Sequence, residues 1–95
     1  MANKYELVYI LNPVLGEEAV VALSEKLQAL IEAAATIEKT DVWGRRRLAY
    51  EIHDQKEGYY VLVNFSAEAE FPKELERVLK ITEGVLRYMV VRTDG

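Results

Sequence analysis

A chain of 95 residues, 51% hydrophobic and 29% charged, has the composition of one ordinary globular unit rather than of a disordered segment, and at that length burial reaches roughly 60–65% of the unfolded surface. The absence of cysteine excludes a disulfide framework, thiol catalysis and cysteine-ligated metal or iron–sulfur sites, and fits a reducing, cytoplasmic compartment. A formal net charge of −4 argues against broad nonspecific nucleic-acid binding but not against a local basic patch, because attraction to phosphate depends on where the charge sits.

The N-terminus, MANKYELVYILNP, carries Lys4 and Glu6 and has no signal-peptide pattern, and no apolar run approaches the ~20 residues of a membrane span. A soluble domain covering residues 1–95 is expected. KYELVYIL (4–11) alternates, with Tyr5, Leu7, Tyr9 and Leu11 on one face and Glu6, Val8 and Ile10 on the other, which predicts a strand ended by Asn12-Pro13. Residues 16–35 change rhythm. Val20, Leu23, Leu27, Leu30, Ile31 and Ala34 recur at helical spacing, with Glu17 and Glu18 in a first turn where acid complements the helix dipole.

TIEKTDVWGRRRLAYEIHD (36–54) is rich in β-branched and aromatic residues, and Gly44 inside it suggests a bulge or bend. The polar stretch HDQKEG (53–58) reads as a loop, and GYYVLVNFSA (58–67) as the returning strand of a hairpin. FPKELERVLKITEG (71–84) is a second helix, opened by Pro72, stopped by Gly84 and buried through Leu75, Val78, Leu79 and Thr82. VLRYMVVR (85–92) is the last strand, with Leu86, Tyr88 and Val90 opposed to Arg87, Met89 and Val91. Strand–helix–strand–strand–helix–strand gives an α+β, ferredoxin-like βαββαβ fold, a four-stranded antiparallel sheet with two helices on one face. The first and third strands are then central, and the arginine-bearing strand is an edge.

The chemistry of catalysis is poorly represented. The single histidine, His53, lies in a polar turn; Ser24 and Ser66 have no base beside them in sequence; the glycines are isolated rather than phosphate-cradling; and no His, Cys or Asp cluster has metal-ligand spacing. No catalytic residue, metal or cofactor is expected. The strand motif of RNA-recognition modules is absent as well, and GYYVLVNF offers Tyr60 outward without a second ring to stack beside it.

The basic edge stands out. Between Val42 and Tyr50 lie Arg45, Arg46 and Arg47 and no acid. Charge on an edge strand has a plain role, preventing edge-to-edge pairing with another chain. Three arginines beside Trp43 exceed that need, since arginine also pairs bidentately with phosphate and an edge offers backbone groups to an incoming strand. A second basic set, Lys4, Arg87 and Arg92, falls on strands expected to be neighbours and to bring these residues together on the open side, with Glu6 and Asp94 as nearby acids.

YELVYILNP with its following helix, IEKTDVWGRRRLAYEI followed by GYYVLVNF, and the closing VLRYMVVR together resemble the bacterial small-subunit ribosomal protein S6 family over nearly the whole chain; the stretch Gly44–Tyr50 is the most specific. The resemblance implies a structural, non-enzymatic protein that binds the central domain of small-subunit rRNA jointly with ribosomal protein S18. Carried over by position, it makes Asp41, Val42, Trp43, Gly44, Arg45, Arg46 and Arg47 the partner-binding candidates, and Lys4, Arg46, Arg47, Arg87 and Arg92 the RNA-binding candidates. Many family members continue into an acidic or polar tail, whereas this sequence ends at Gly95. Val42 and Trp43 make the edge apolar enough to favour weak self-association when the partner is absent. Two other classes share the topology. A dimeric regulatory or small-ligand-binding module is suggested by Val8, Ile10, Leu62, Met89 and Val91 on the open face. A small acylphosphatase-like hydrolase would need an arginine that the first loop, NPVLGEE, lacks.

Overall fold

The computed structural model describes residues 2–52 and 55–93. Strand β1 (Asn3–Leu11) leads through a 3-10 turn (Pro13–Leu15) into helix α1 (Glu17–Ala34). A long hairpin of β2 (Thr36–Ile52) and β3 (Gln55–Ala67), helix α2 (Phe71–Ile81) and β4 (Val85–Arg92) complete it. The sheet order is β2-β3-β1-β4 with every neighbouring pair antiparallel, so β1 and β3 are central and β2 is an edge, as the order of the elements predicts.

The period-two pattern sorts the side chains. Tyr5, Leu7, Tyr9 and Leu11 of β1 meet Val61, Val63 and Phe65 of β3 under Val20, Leu27 and Ile31 of α1 and Leu75 and Leu79 of α2, all buried. Both helices therefore cover one face. Phe65 stacks on Tyr5 (centroids 5.5 Å apart) and meets Phe71 edge-on (5.8 Å), joining the sheet to the start of α2. On α1 the buried positions are Val20, Ser24, Leu27 and Ile31, while Ala34, expected in the stripe, is exposed. Ser24 takes a core position because its hydroxyl is satisfied there by Tyr9, 2.9 Å away.

Two boundaries differ from the sequence expectation. The stretch 53–58 is not all loop: β3 begins at Gln55, and the ladder pairs Ile52 with Gln55, Arg47 with Glu57 and Arg46 with Gly58. Lys56 is exposed and Glu57 half-exposed, so polar side chains cost nothing on this part of the strand, and composition alone reads them as a loop. Helix α2 stops at Ile81 rather than reaching Gly84. Thr82 is already extended, and the carbonyl of Gly84 accepts a hydrogen bond from the Asn12 N–H at 2.7 Å. The chain must leave the helix early enough to make that tie between the end of β1 and the start of β4. His53 and Asp94, and the side chain of Tyr50, lie outside the described residues. Among the described residues, no helix is long and apolar enough to cross a membrane.

Candidate partner and nucleic-acid interface

The glycine inside β2 does what its position suggests. Val42 pairs with Val61 and Gly44 with Tyr60, leaving Trp43 as the extra residue of a bulge, and Gly44 has φ +76°, a conformation that side-chain-bearing residues adopt at a cost. A second register shift places Glu38 as an extra residue between Ile37 and Lys39. Both bulges bend the edge away from flat pairing with another sheet.

The bulge also decides where each candidate residue points. Arg45 is opposite Tyr59 and Arg47 opposite Glu57, positions that share the face of Val61 and Val63; both arginines therefore lie on the helix side. Arg46 is opposite Gly58 and belongs to the open face with Tyr60 and Leu62. All three are exposed. Arg45 reaches Glu57 Oε2 at 3.5 Å, an exposed ion pair of the kind that contributes little. It also lines a cavity of about 340 Å³ together with Pro13, Glu17, Val20, Gly44 and Tyr59. Asp41 is opposite Leu62 on the open face, and Val42, 53% exposed, is on the helix side.

Trp43 is 44% exposed and stacks on Tyr60, with ring centroids 6.0 Å apart and planes within 17°. The sequence placed Tyr60 outward but gave it no companion ring. The companion comes from the neighbouring strand, delivered by the bulge. Beneath this pair, Gly58 is a close-approach position: a Cβ there would lie 2.3 Å from Ile10 Cγ2, 3.3 Å from Leu48 Cδ2 and 3.5 Å from Tyr60 Cε1. Ile10 and Leu48 thus close over the bare backbone and become buried although they lie on the open face.

The second basic set does not gather. Lys4 and Arg87 share the open face, but Lys4 lies on β1 six residues from Ile10, the residue opposite Arg87, which is about 20 Å along the strand. Arg92 is opposite Tyr5 and so falls on the helix side, where it donates to Asn3 Oδ1 at 3.0 Å. Lys4 lies 3.8 Å from Glu38. Strand neighbourhood was the right expectation; the two-residue period and the antiparallel register separate the side chains. The register instead brings Arg87 into the row of Tyr60 and Ile10, at the end of the sheet that holds Arg46.

Fold and edge together define a ferredoxin-like domain whose cationic, bulged edge strand flanks an open sheet face. The profile of the family described as Ribosomal protein S6 matches residues 4–92. A small ribosomal subunit protein bS6 from Alkaliphilus oremlandii is 56% identical over 92 residues, covering 97% of this chain and 98% of the relative. One from Clostridium botulinum is 52% identical over 93 residues, covering 97% and 99%. The crystal structure of 30S ribosomal protein S6 from Thermotoga maritima superposes with a TM-score of 0.92 at 29% identity, over 98% of this chain and 89% of that one. The chain belongs to the ribosomal protein S6 family, a family of small-subunit structural proteins rather than of enzymes.

Proposed function

We propose that this protein, as a single ferredoxin-like domain over residues 1–95, binds the central domain of small-subunit rRNA together with ribosomal protein S18 in the cytoplasm. The observation that carries the reading is the run Arg45–Arg46–Arg47, exposed on an edge strand with its side chains divided between the two sheet faces. Alternation lets one short segment address two ligands at once. The bulged stretch from Asp41 to Arg47 is the docking edge for S18. Arg46 and Arg47 extend that edge towards phosphate, with Arg87 nearby and Lys4 and Arg92 as separate, more distant contacts. Arginine suits this work because its guanidinium stays charged and grips phosphate or carboxylate in a fixed geometry.

The test is binding to a central-domain rRNA fragment, with and without S18, for the wild type and for a triple variant, Arg45→Gln, Arg46→Gln and Arg47→Gln. The variant should lose roughly ten- to a hundredfold in joint affinity and flatten the salt dependence, each lost phosphate contact removing about 0.7–0.9 from the slope. Its unfolding midpoint should change little, because the Arg45–Glu57 pair is exposed. Equal binding by both proteins would overturn the proposal. A second reading, a sheet-to-sheet homodimer, is favoured by the open face, where Met89 is 55% and Val91 42% exposed. Sedimentation at micromolar concentration separates the two: the homodimer reading requires a stable dimer with no RNA affinity.

A further inference from the structure

The open face holds a juxtaposition that the edge arginines alone do not explain. One row crosses all four strands: Gly44 with the adjoining Trp43 on β2, then Tyr60, Ile10 and Arg87. The row spans about 14 Å at ordinary strand spacing. Trp43 and Tyr60 lie in near-parallel planes at its β2 end. At the β4 end Arg87 lines a recess of about 160 Å³ with Val8, Ile10 and Met89. Arg46 projects from the same face two residues beyond Gly44, opposite Gly58. An aromatic pair therefore lies between two exposed guanidinium groups on one side of one sheet.

We infer that Trp43 and Tyr60 form a stacking site for an unpaired base of single-stranded RNA, with Arg46 and Arg87 on the flanking phosphates. The inference rests on the RNA-binding reading above and gives Trp43, within the edge proposed for S18, a contact with RNA as well. Three features favour a nucleotide over a protein as the occupant. The two guanidinium groups near the rings, Arg46 and Arg87, are of the type that pairs with phosphate and outnumber Asp41, which the register places on the same face opposite Leu62. The rings present π-faces, which take any base without a hydrogen-bond code. The two rings are already stacked on each other, Tyr60 beside the bare backbone of Gly58 and Trp43 on the bulge at Gly44; a preorganised ring binds at lower entropic cost.

Trp43 is the single tryptophan in the chain, so its fluorescence reports the site directly. The protein is titrated with an eight-nucleotide oligoadenylate, with inorganic polyphosphate of similar length as a base-free polyanion, and with S18. Oligoadenylate should quench Trp43 emission to saturation while polyphosphate binds without comparable quenching. Trp43→Leu and Tyr60→Leu should each weaken oligoadenylate binding roughly 5- to 100-fold, the range that stacking one base supplies. Both should leave polyphosphate binding unchanged, and Trp43→Phe should restore most of the loss. The wild-type titration stands even where a leucine variant folds poorly. RNA binding without quenching, and at equal affinity in Trp43→Leu, would overturn the stacking site and leave the RNA reading intact. No binding to either oligoadenylate or the central-domain fragment would defeat both. Emission that responds to S18 and not to RNA would make this surface a protein contact and overturn the inference.

Discussion

Tyr9 is fully buried on β1, and its hydroxyl is the hub of a polar chain through the core. It lies 2.9 Å from Ser24 Oγ and accepts from Gln28 Nε2 at 3.3 Å, and Gln28 Oε1 accepts from Thr40 Oγ1 at 3.2 Å. Four side chains thus tie the central strand to α1 and then to the edge strand that carries the arginines. Burial pushes the phenol above its ordinary value; the hydrogen bonds it shares with Ser24 and Gln28 partly oppose this, and Tyr59 nearby adds to the rise. The sign follows. The folded state holds the proton more tightly than the unfolded chain, so this contribution is complete below the unfolded phenol value of about 10 and is lost as pH rises through the folded one. Tyr9→Phe should lower stability by about 1 kcal/mol at neutral pH, the worth of its hydrogen bonds. It should also flatten the alkaline limb of the curve. Urea unfolding from pH 7 to 11 checks both, and parallel alkaline limbs in variant and wild type would refute the assignment.

At the scale of elements, β2 is where the candidate binding residues and an irregular backbone meet. Gly44 has open space around its Cα, so a methyl group there meets no neighbour; the cost of substitution is the positive φ alone. Gly44→Ala should therefore destabilise by about 1–2 kcal/mol, and Gly44→Asn by less, since asparagine visits that region more readily. If the bulge presents Trp43, the alanine variant should also shift Trp43 emission more than the asparagine variant does. Equal emission spectra would show that the bulge does not set the ring's position. Much of this architecture was legible in the sequence: the alternation of 4–11, the helical spacing of Val20, Leu27 and Ile31, and a bulge at Gly44. The face of Trp43 was not, because the extra residue of a bulge has no parity to inherit from its strand. Nor was the strand at 55–58, where Gln55, Lys56 and Glu57 give no apolar signal. The separation of Lys4 from Arg87 depended on register, which is a property of paired strands and is invisible in either one alone.

At the scale of the whole molecule, charge is unevenly placed. Glu17, Glu18, Glu25 and Glu32 are exposed on α1 against Lys26, α2 carries both signs, and Arg45, Arg46, Arg47 and Arg87 are exposed at one end of the sheet. A net charge of −4 therefore conceals a local cationic region at one end of the sheet, set apart from the acidic face of α1. Such a surface makes binding and folding respond differently to salt. The ion pairs Lys4–Glu38 at 3.8 Å, Arg45–Glu57 at 3.5 Å and the i,i+3 pair Glu74–Arg77 are exposed, and pairs of this kind are worth about 0–1 kcal/mol each. Most of the stability lies instead in the apolar layer between sheet and helices, which ordinary salt scarcely weakens. Raising KCl from 50 to 500 mM should therefore move the unfolding free energy by no more than about 1 kcal/mol. Over the same range, affinity for the rRNA fragment should fall by roughly a hundredfold or more if three arginines contact phosphate. Chemical denaturation and RNA binding measured in the same buffers decide the matter. RNA affinity that holds steady across that range would remove phosphate from the contacts, and with it the reason for an acidic protein to gather arginines at one edge.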